Sequence, residues 1–246
     1  MGLALLLAVL IGAVLGTLGS GGSILLVPVL VHVAGMPGHR AVETSLMVIA
    51  ASSLLAAALH YRQGNYHPKA LLLFGTTGPA GAWAGSAGTH RVAEPVLMLL
   101  FAAVMALAGG AMLWRRASRD SAEGCRLVRC ALIGLGVGAL TGFLGVGGGF
   151  LLMPALVLAA GIQTHKAVGT SLAVISINSF AGLLGQMRYG PVDLGGALAL
   201  IGLMTPGVAA GAALARRLPP RTLRISFGVL LLALSLTLGL LNASRL

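Results

Sequence analysis

Two stretches of the chain pair glycine-rich turns with adjacent hydroxyls in a pattern suited to holding an anion. Gly19-Ser20-Gly21-Gly22-Ser23 and Gly145-Val146-Gly147-Gly148-Gly149 each precede a short apolar segment carrying a proline, Pro28 or Pro154. A glycine turn that feeds a helix start leaves backbone N–H groups without intrahelical acceptors and points them toward one place. The positive end of the helix dipole adds to their pull on negative charge. Gly21, Gly22 and Ser23, with Gly147, Gly148 and Gly149, are therefore candidate substrate-binding positions; close packing of helices through small residues is the competing reading. Neither cluster carries the lysine and hydroxyl of a P-loop, so no nucleotide or other cofactor is called for.

Downstream of each cluster lies a second shared element, His39-Arg40-Ala41-Val42-Glu43-Thr44-Ser45 and His165-Lys166-Ala167-Val168-Gly169-Thr170-Ser171. Thr44, Ser45, Thr170 and Ser171 fall in the first turns of long apolar helices. The face of Ser45 continues to Ser52, and that of Ser171 to Asn178, seven residues on and only ~20° apart. Polar groups inside a membrane helix tend to face the bundle interior or a wet cavity. Neutral hydroxyls and an amide can bind an oxyanion without cancelling its charge, although hydroxyls also bond back to their own helix. His39, Arg40, His165 and Lys166 sit at helix beginnings, where they can attract anions or serve as snorkelling anchors. Glu43 faces Gly169 in the comparison of the two copies; it can carry a coupling proton or simply pair with Arg40.

These residues need a membrane scaffold. The chain has 246 residues, 57% hydrophobic and 9% charged, with a mean hydropathy of +0.98. Soluble domains carry about 25% charged residues. At ~20 residues per spanning helix there is room for about ten crossings and none for a large soluble domain. The net charge of +11 comes from bases in short gaps between apolar runs. There they set orientation in the bilayer, and no nucleic-acid motif accompanies them. Cys125 and Cys130 lie in the basic loop that the charge pattern puts in the cytoplasm, where thiols are expected to stay reduced; no metal role is assigned to them. The first eighteen residues read as a retained membrane element, not a cleaved signal.

The glycine and Thr-Ser elements recur at an offset of 126 residues without a gap, and 21 of the 46 positions from 19 to 64 are identical to their counterparts at 145 to 190. The chain thus divides into a first membrane repeat (1–114), a basic cytoplasmic linker (115–129) and a second membrane repeat (130–246). Each repeat reads as five apolar elements: 2–18, 24–35, 41–60, 69–88 and 92–114, then 130–144, 150–160, 167–187, 193–214 and 223–243. The second element of each is too short to cross comfortably, so a V-shaped or re-entrant hairpin is expected. An odd number of crossings per repeat puts 12 of the 16 bases on one side, against 9 and 7 for an even number. The positive-inside rule favours the odd count. The fold class is therefore an all-α polytopic membrane protein with two inverted repeats, an arrangement typical of secondary transporters.

The paired segments GSGGSILLVP and GVGGGFLLMP, each followed by a Thr-Ser-Leu helix, resemble the TauE/SafE family of membrane permeases. The resemblance covers about Leu3 to Leu241, with Ser23 in place of Gly149 as one departure between the copies. It implies transport of sulfite, a sulfonate or another sulfur-containing anion across a bacterial-type inner membrane. The expected partners are that small anion and the lipid bilayer. Proton symport, exchange and passive export all stand open. Two other classes compete: an intramembrane enzyme pairing a histidine with a serine, and a metal or cation carrier. Recurrence of His, Thr and Ser in both copies argues against catalysis, and the five acids, mostly in loops, argue against cation transport.

Overall fold

The computed structural model describes residues 2–86, 94–114, 127–144, 149–186 and 194–243. These residues form helices and short connections, with no strand among them. The first repeat contains α1 (Gly2–Leu18), α2 (Gly21–His32), α3 (Gly38–Arg62), α4 (Pro68–Ser86) and α5 (Glu94–Trp114). The second contains α6 (Leu127–Leu144), α7 (Gly149–Pro154), α8 (Thr164–Gln186), α9 (Leu194–Arg217) and α10 (Pro220–Ala243). Beyond Pro154 the α7 helix widens into a π-turn over Ala155–Ala159, closed by Ala160 N–H on the Ala155 carbonyl at 2.8 Å.

Segments in α3, α5, α8, α9 and α10 are long and apolar enough to cross a membrane, whereas the apolar parts of α1, α2, α6 and α7 are shorter. The protein is an integral membrane protein. Its periphery is apolar: Trp83, Leu72, Leu107 and Leu236 are all exposed, a surface suited to lipid. About half of α3 and α8 is buried, compared with a third of α9 and α10, so α3 and α8 form the centre. Phe101 of α5 meets Phe150 of α7 edge to face at 4.9 Å, tying the fifth element of one half to the short helix of the other.

The helix contacts repeat when every residue number is shifted by 126. Helix α1 lies along α9, with the Gly207 and Gly211 positions against the carbonyls of Val9 and Ala13. The shifted pair, α6 along α4, brings Gly81 and Gly85 against the carbonyls of Leu135 and Ala139. The first helix of each half therefore packs on the fourth helix of the other. At these seams a Cβ would fall on a carbonyl oxygen, so glycine is needed for the close approach of two backbones. Helices α3 and α8 run in opposite directions. Leu46 neighbours Gly182, Ala50 meets Ser176, and His60 lies by Gly169. Helices α5 and α10 also run antiparallel, joined at Gly109 and Gly228 and, further along, by Ser235 Oγ donating to the Ala102 carbonyl at 2.7 Å.

The chain reverses between α1 and α2 at Gly19, whose φ of 75° is the left-handed conformation that glycine adopts freely. Helix α2 starts at Gly21, inside the glycine cluster rather than after it. Helix α6 starts at Leu127, within the stretch read as linker. Cys130, buried near the start of α6, is disulfide-bonded rather than a free thiol, which corrects the expectation of a reduced cysteine. Cys125 lies outside the described residues.

Candidate functional site

Ser23 and Gly149, and Gly19 and Ser171, are brought together where the two halves meet. Ser23, at the start of α2, places its Oγ 2.9 Å from where a Cβ on Gly149 would sit, and that Cβ would also touch Ile175 of α8. Ser23 and Gly149 are equivalent positions of the two repeats. One residue beyond Ile175, Ser176 donates its hydroxyl to the carbonyl of Ala50 at 2.9 Å. Ala50 and Ser176 are again equivalents, 126 residues apart. The tips of the short helices and the middles of the long ones thus come together where the halves meet.

Gly19 lies against Ser171, whose Oγ would be 2.8 Å from a Cβ at position 19. The glycine turn of the first repeat is thereby seated on the Thr-Ser element of the second. Gly21 and Gly22 are buried, Gly21 against Leu230 and Phe227, and Gly22 against the backbone of Leu15. The Ser20 side chain makes no capping bond to the N–H groups of the first turn of α2. The close packing of these glycines is observed, and the first turn of α2 has no side-chain cap from Ser20. Gly147 and Gly148 lie outside the described residues; Gly149 is buried.

The hydroxyls divide into two groups. Ser23, Ser45 and Ser171 donate to the carbonyls of Ser20, Val42 and Val168, each three residues back, and Thr170 donates to Lys166, four back. Their protons are committed to their own chain. Thr170 Oγ1 also accepts the His67 N–H at 3.0 Å, which fastens the α3–α4 connection to α8. Thr44 is buried. In contrast, Ser52 Oγ and Asn178 Oδ1 are buried without a hydrogen-bond partner among the described residues, as are Ser20 Oγ and Ser53 Oγ. Leaving a buried polar atom unpaired costs about 1–3 kcal/mol, so groups of this kind call for an explanation such as a ligand or water. Ser52 and Asn178 are equivalents, and each lies two residues past the Ala50–Ser176 contact. The repeat comparison singles out Ser52 and Asn178; Ser20 is legible only as a serine inside a glycine cluster.

The charged candidates are placed differently. Arg40 is exposed, Glu43 is buried in the same turn, and the side chain of His39 lies outside the described residues. His165 donates through Nε2 toward the carbonyls of Ala215 at 3.1 Å and Leu218 at 3.2 Å, closing the end of α9. With Lys166 it lines an open groove of about 340 Å³ together with Gln63, Asn65, Gln163 and Arg216. The connection 63–67, the start of α8 and the end of α9 therefore share one end of the bundle. Sequence reasoning missed His60, which is fully buried and donates through Nε2 to the Gly16 carbonyl at 2.9 Å. No repeat signal marks it, because Gln186 stands at the equivalent position.

Comparison with known proteins decides the family. The sulfite exporter TauE/SafE family matches residues 4–238. The chain belongs to the TauE/SafE family. A probable membrane transporter protein of Xylella fastidiosa is 35% identical over 191 residues, spanning 75% of this chain and 72% of its own. The probable membrane transporter protein YdhB of Bacillus subtilis is 28% identical over 197 residues, covering 78% and 80%. A third such protein, MJ0441 of Methanocaldococcus jannaschii, is 28% identical over 193 residues, covering 74% and 72%. No solved structure matches the chain. This TauE/SafE protein is a membrane transporter; the family and its relatives are named for transport, not for catalysis.

Proposed function

We propose that the protein is a secondary transporter moving a small anion, sulfite or an organic sulfonate, across a bacterial-type inner membrane by alternating access. The observation that carries this reading is the meeting of equivalent residues, Ser23 with Gly149 and Ala50 with Ser176, where the two halves join. The antiparallel course of α3 and α8 supports a relation that turns one repeat over in the membrane. The shared location of the 63–67 connection, Lys166 and Arg216 at one end supports the odd count of crossings. An axis of this kind gives two packings of similar energy, one open to each side.

The substrate would lie beside the α3–α8 crossing. Ser52 and Ser20 supply hydroxyls with no partner among the described residues, Asn178 supplies an amide whose unpartnered Oδ1 accepts rather than donates, and the start of α2 supplies backbone N–H groups. The hydroxyl and N–H groups are neutral donors that suit a weakly basic oxyanion, which keeps its charge and is held by geometry, while Asn178 Oδ1 can accept from a protonated oxygen or a water. The sulfur chemistry itself comes from the family description. The test is a flux panel in proteoliposomes with sulfite, thiosulfate, a sulfonate and a carboxylate, repeated for Ser52→Ala and Asn178→Ala. Sulfite or sulfonate flux, with half-saturation raised about tenfold in either variant, is expected. Flux of none of the anions overturns the substrate class, and unchanged kinetics in both variants overturn the site.

A further inference from the structure

The open groove at the end of α3, α8 and α9 is lined by residues most of whose sequence equivalents in the other repeat are of different type. Gln63, Asn65 and Gln163 contribute amides, Lys166 and Arg216 contribute charge, and His165 completes the wall. Among the described residues no carboxylate lines it. The residues equivalent to Gln63, Asn65, Gln163 and Arg216 are Tyr189, Pro191, Pro37 and His90. Three amides and a guanidinium thus have a phenol, two prolines and an imidazole as their counterparts. The chain carries this set once.

The reason lies in Gly169. The Asn65 carbonyl occupies the place where a Cβ at 169 would be, so the 63–67 connection can lie over the first turn of α8 only because that residue is glycine. Its equivalent in the other repeat is Glu43. Thr170 fixes the connection through His67 N–H, and donates to the carbonyl of Lys166, so loop and cation are held together. His165 fastens the end of α9 beside Arg216. The positive field reaches past the groove. His67 titrates below its usual range, first through burial and then through Lys166 and Lys69.

We propose that this groove is a docking site for an oxyanion head group, a sulfonate, sulfite or phosphate, present at one face of the protein only. A guanidinium fork, an ammonium and amide donors without a competing carboxylate match such a group. A focused positive field raises its local concentration. Resting on the anion-transport reading, the groove gives transport a sidedness that the repeat alone would not: loading from this face saturates at lower concentration than loading from the other.

The test uses the full-length protein in phosphatidylcholine nanodiscs, titrated with sulfite, methanesulfonate and inorganic phosphate. The double substitution Lys166→Gln with Arg216→Gln is expected to weaken binding of at least one probe about tenfold, while Lys166→Arg alone retains it. In sorted proteoliposomes the double variant should raise half-saturation for sulfite from the groove face and leave the other face unchanged. An equal rise at both faces overturns the sidedness. A lipid phosphate is distinguished by adding phosphatidylglycerol and counting retained lipids by native mass spectrometry; loss of retention in the double variant, with free-anion binding unchanged, assigns the groove to a lipid head group. Unchanged affinity and unchanged retention overturn the groove. Wild-type protein that binds these anions but carries none would sink the transport reading and leave the groove standing.

Discussion

Ser176 donates its hydroxyl, at 2.9 Å, to the carbonyl of Ala50, the residue that occupies its own position in the other half of the chain. The hydrogen bond joins equivalent positions of the two halves. Ser176→Ala removes a buried bond and is expected to cost about 1 kcal/mol, lowering the midpoint of thermal unfolding in detergent by about 2–4 °C. Cysteines at both positions, Ala50→Cys with Ser176→Cys, in a background free of native cysteines, should cross-link on oxidation. If the halves rock against each other, the cross-link stops anion flux and a reductant restores it.

Ser23 and Gly149 are also equivalents, and their contact leaves room for one side chain. The departure between the two glycine clusters fits this contact: the serine on one side sits against the glycine on the other. Gly149→Ala is expected to impair folding or flux with Ser23 present. Combined with Ser23→Gly, which vacates the space, the same substitution should recover. Measuring expression and flux for the two single variants and the double variant gives the coupling directly.

The glycine seams should respond according to what a Cβ would meet. Gly16→Ala and Gly207→Ala drive a methyl into the carbonyls of Val208 and Val9, and are expected to destabilise by about 1–3 kcal/mol. Gly239→Ala, which meets nothing within 4 Å, should be neutral or stabilise α10 slightly through helix propensity. Thermal unfolding of the three variants checks the order.

His67 caps α4 by accepting the Ala70 N–H at Nδ1, 3.2 Å away, which requires a ring unprotonated at that nitrogen. Burial first, then the charges of Lys166 and Lys69, hold its pKa below the ordinary 6.5. Between the lowered folded value and 6.5, the unfolded chain binds the extra proton and the folded chain does not. Stability is therefore full above about pH 6.5 and falls as the pH drops toward the folded value. Unfolding midpoints measured from pH 7.5 downward should decline in this window, and His67→Gln should flatten that part of the decline.

The sequence by itself determined the elements and their duplication. Hydropathy gave the helices nearly as they stand: 2–18 is α1, and the stretch read as 223–243 is α10 begun three residues earlier. These features are local, because a backbone in lipid must satisfy its own hydrogen bonds and can do so only as a helix. The offset of 126 residues likewise needs no structure. It also pointed to Ser52 and Asn178, whose unpartnered atoms keep them in the candidate site.

Only the tertiary structure decided which helix lies beside which. That α1 packs on α9, that Gly19 is seated on Ser171, and that Gln63 shares a groove with Arg216 has no trace in the apolar pattern. In water a helix shows its buried face by being apolar there and polar elsewhere. In a membrane both the lipid face and the packed face are apolar, and the distinction falls to small residues and shape. The same limit applied to the hydroxyls. Ser45, Thr170 and Ser171 read like Ser52 in the sequence, and only their geometry shows that their protons are already bonded to their own helices.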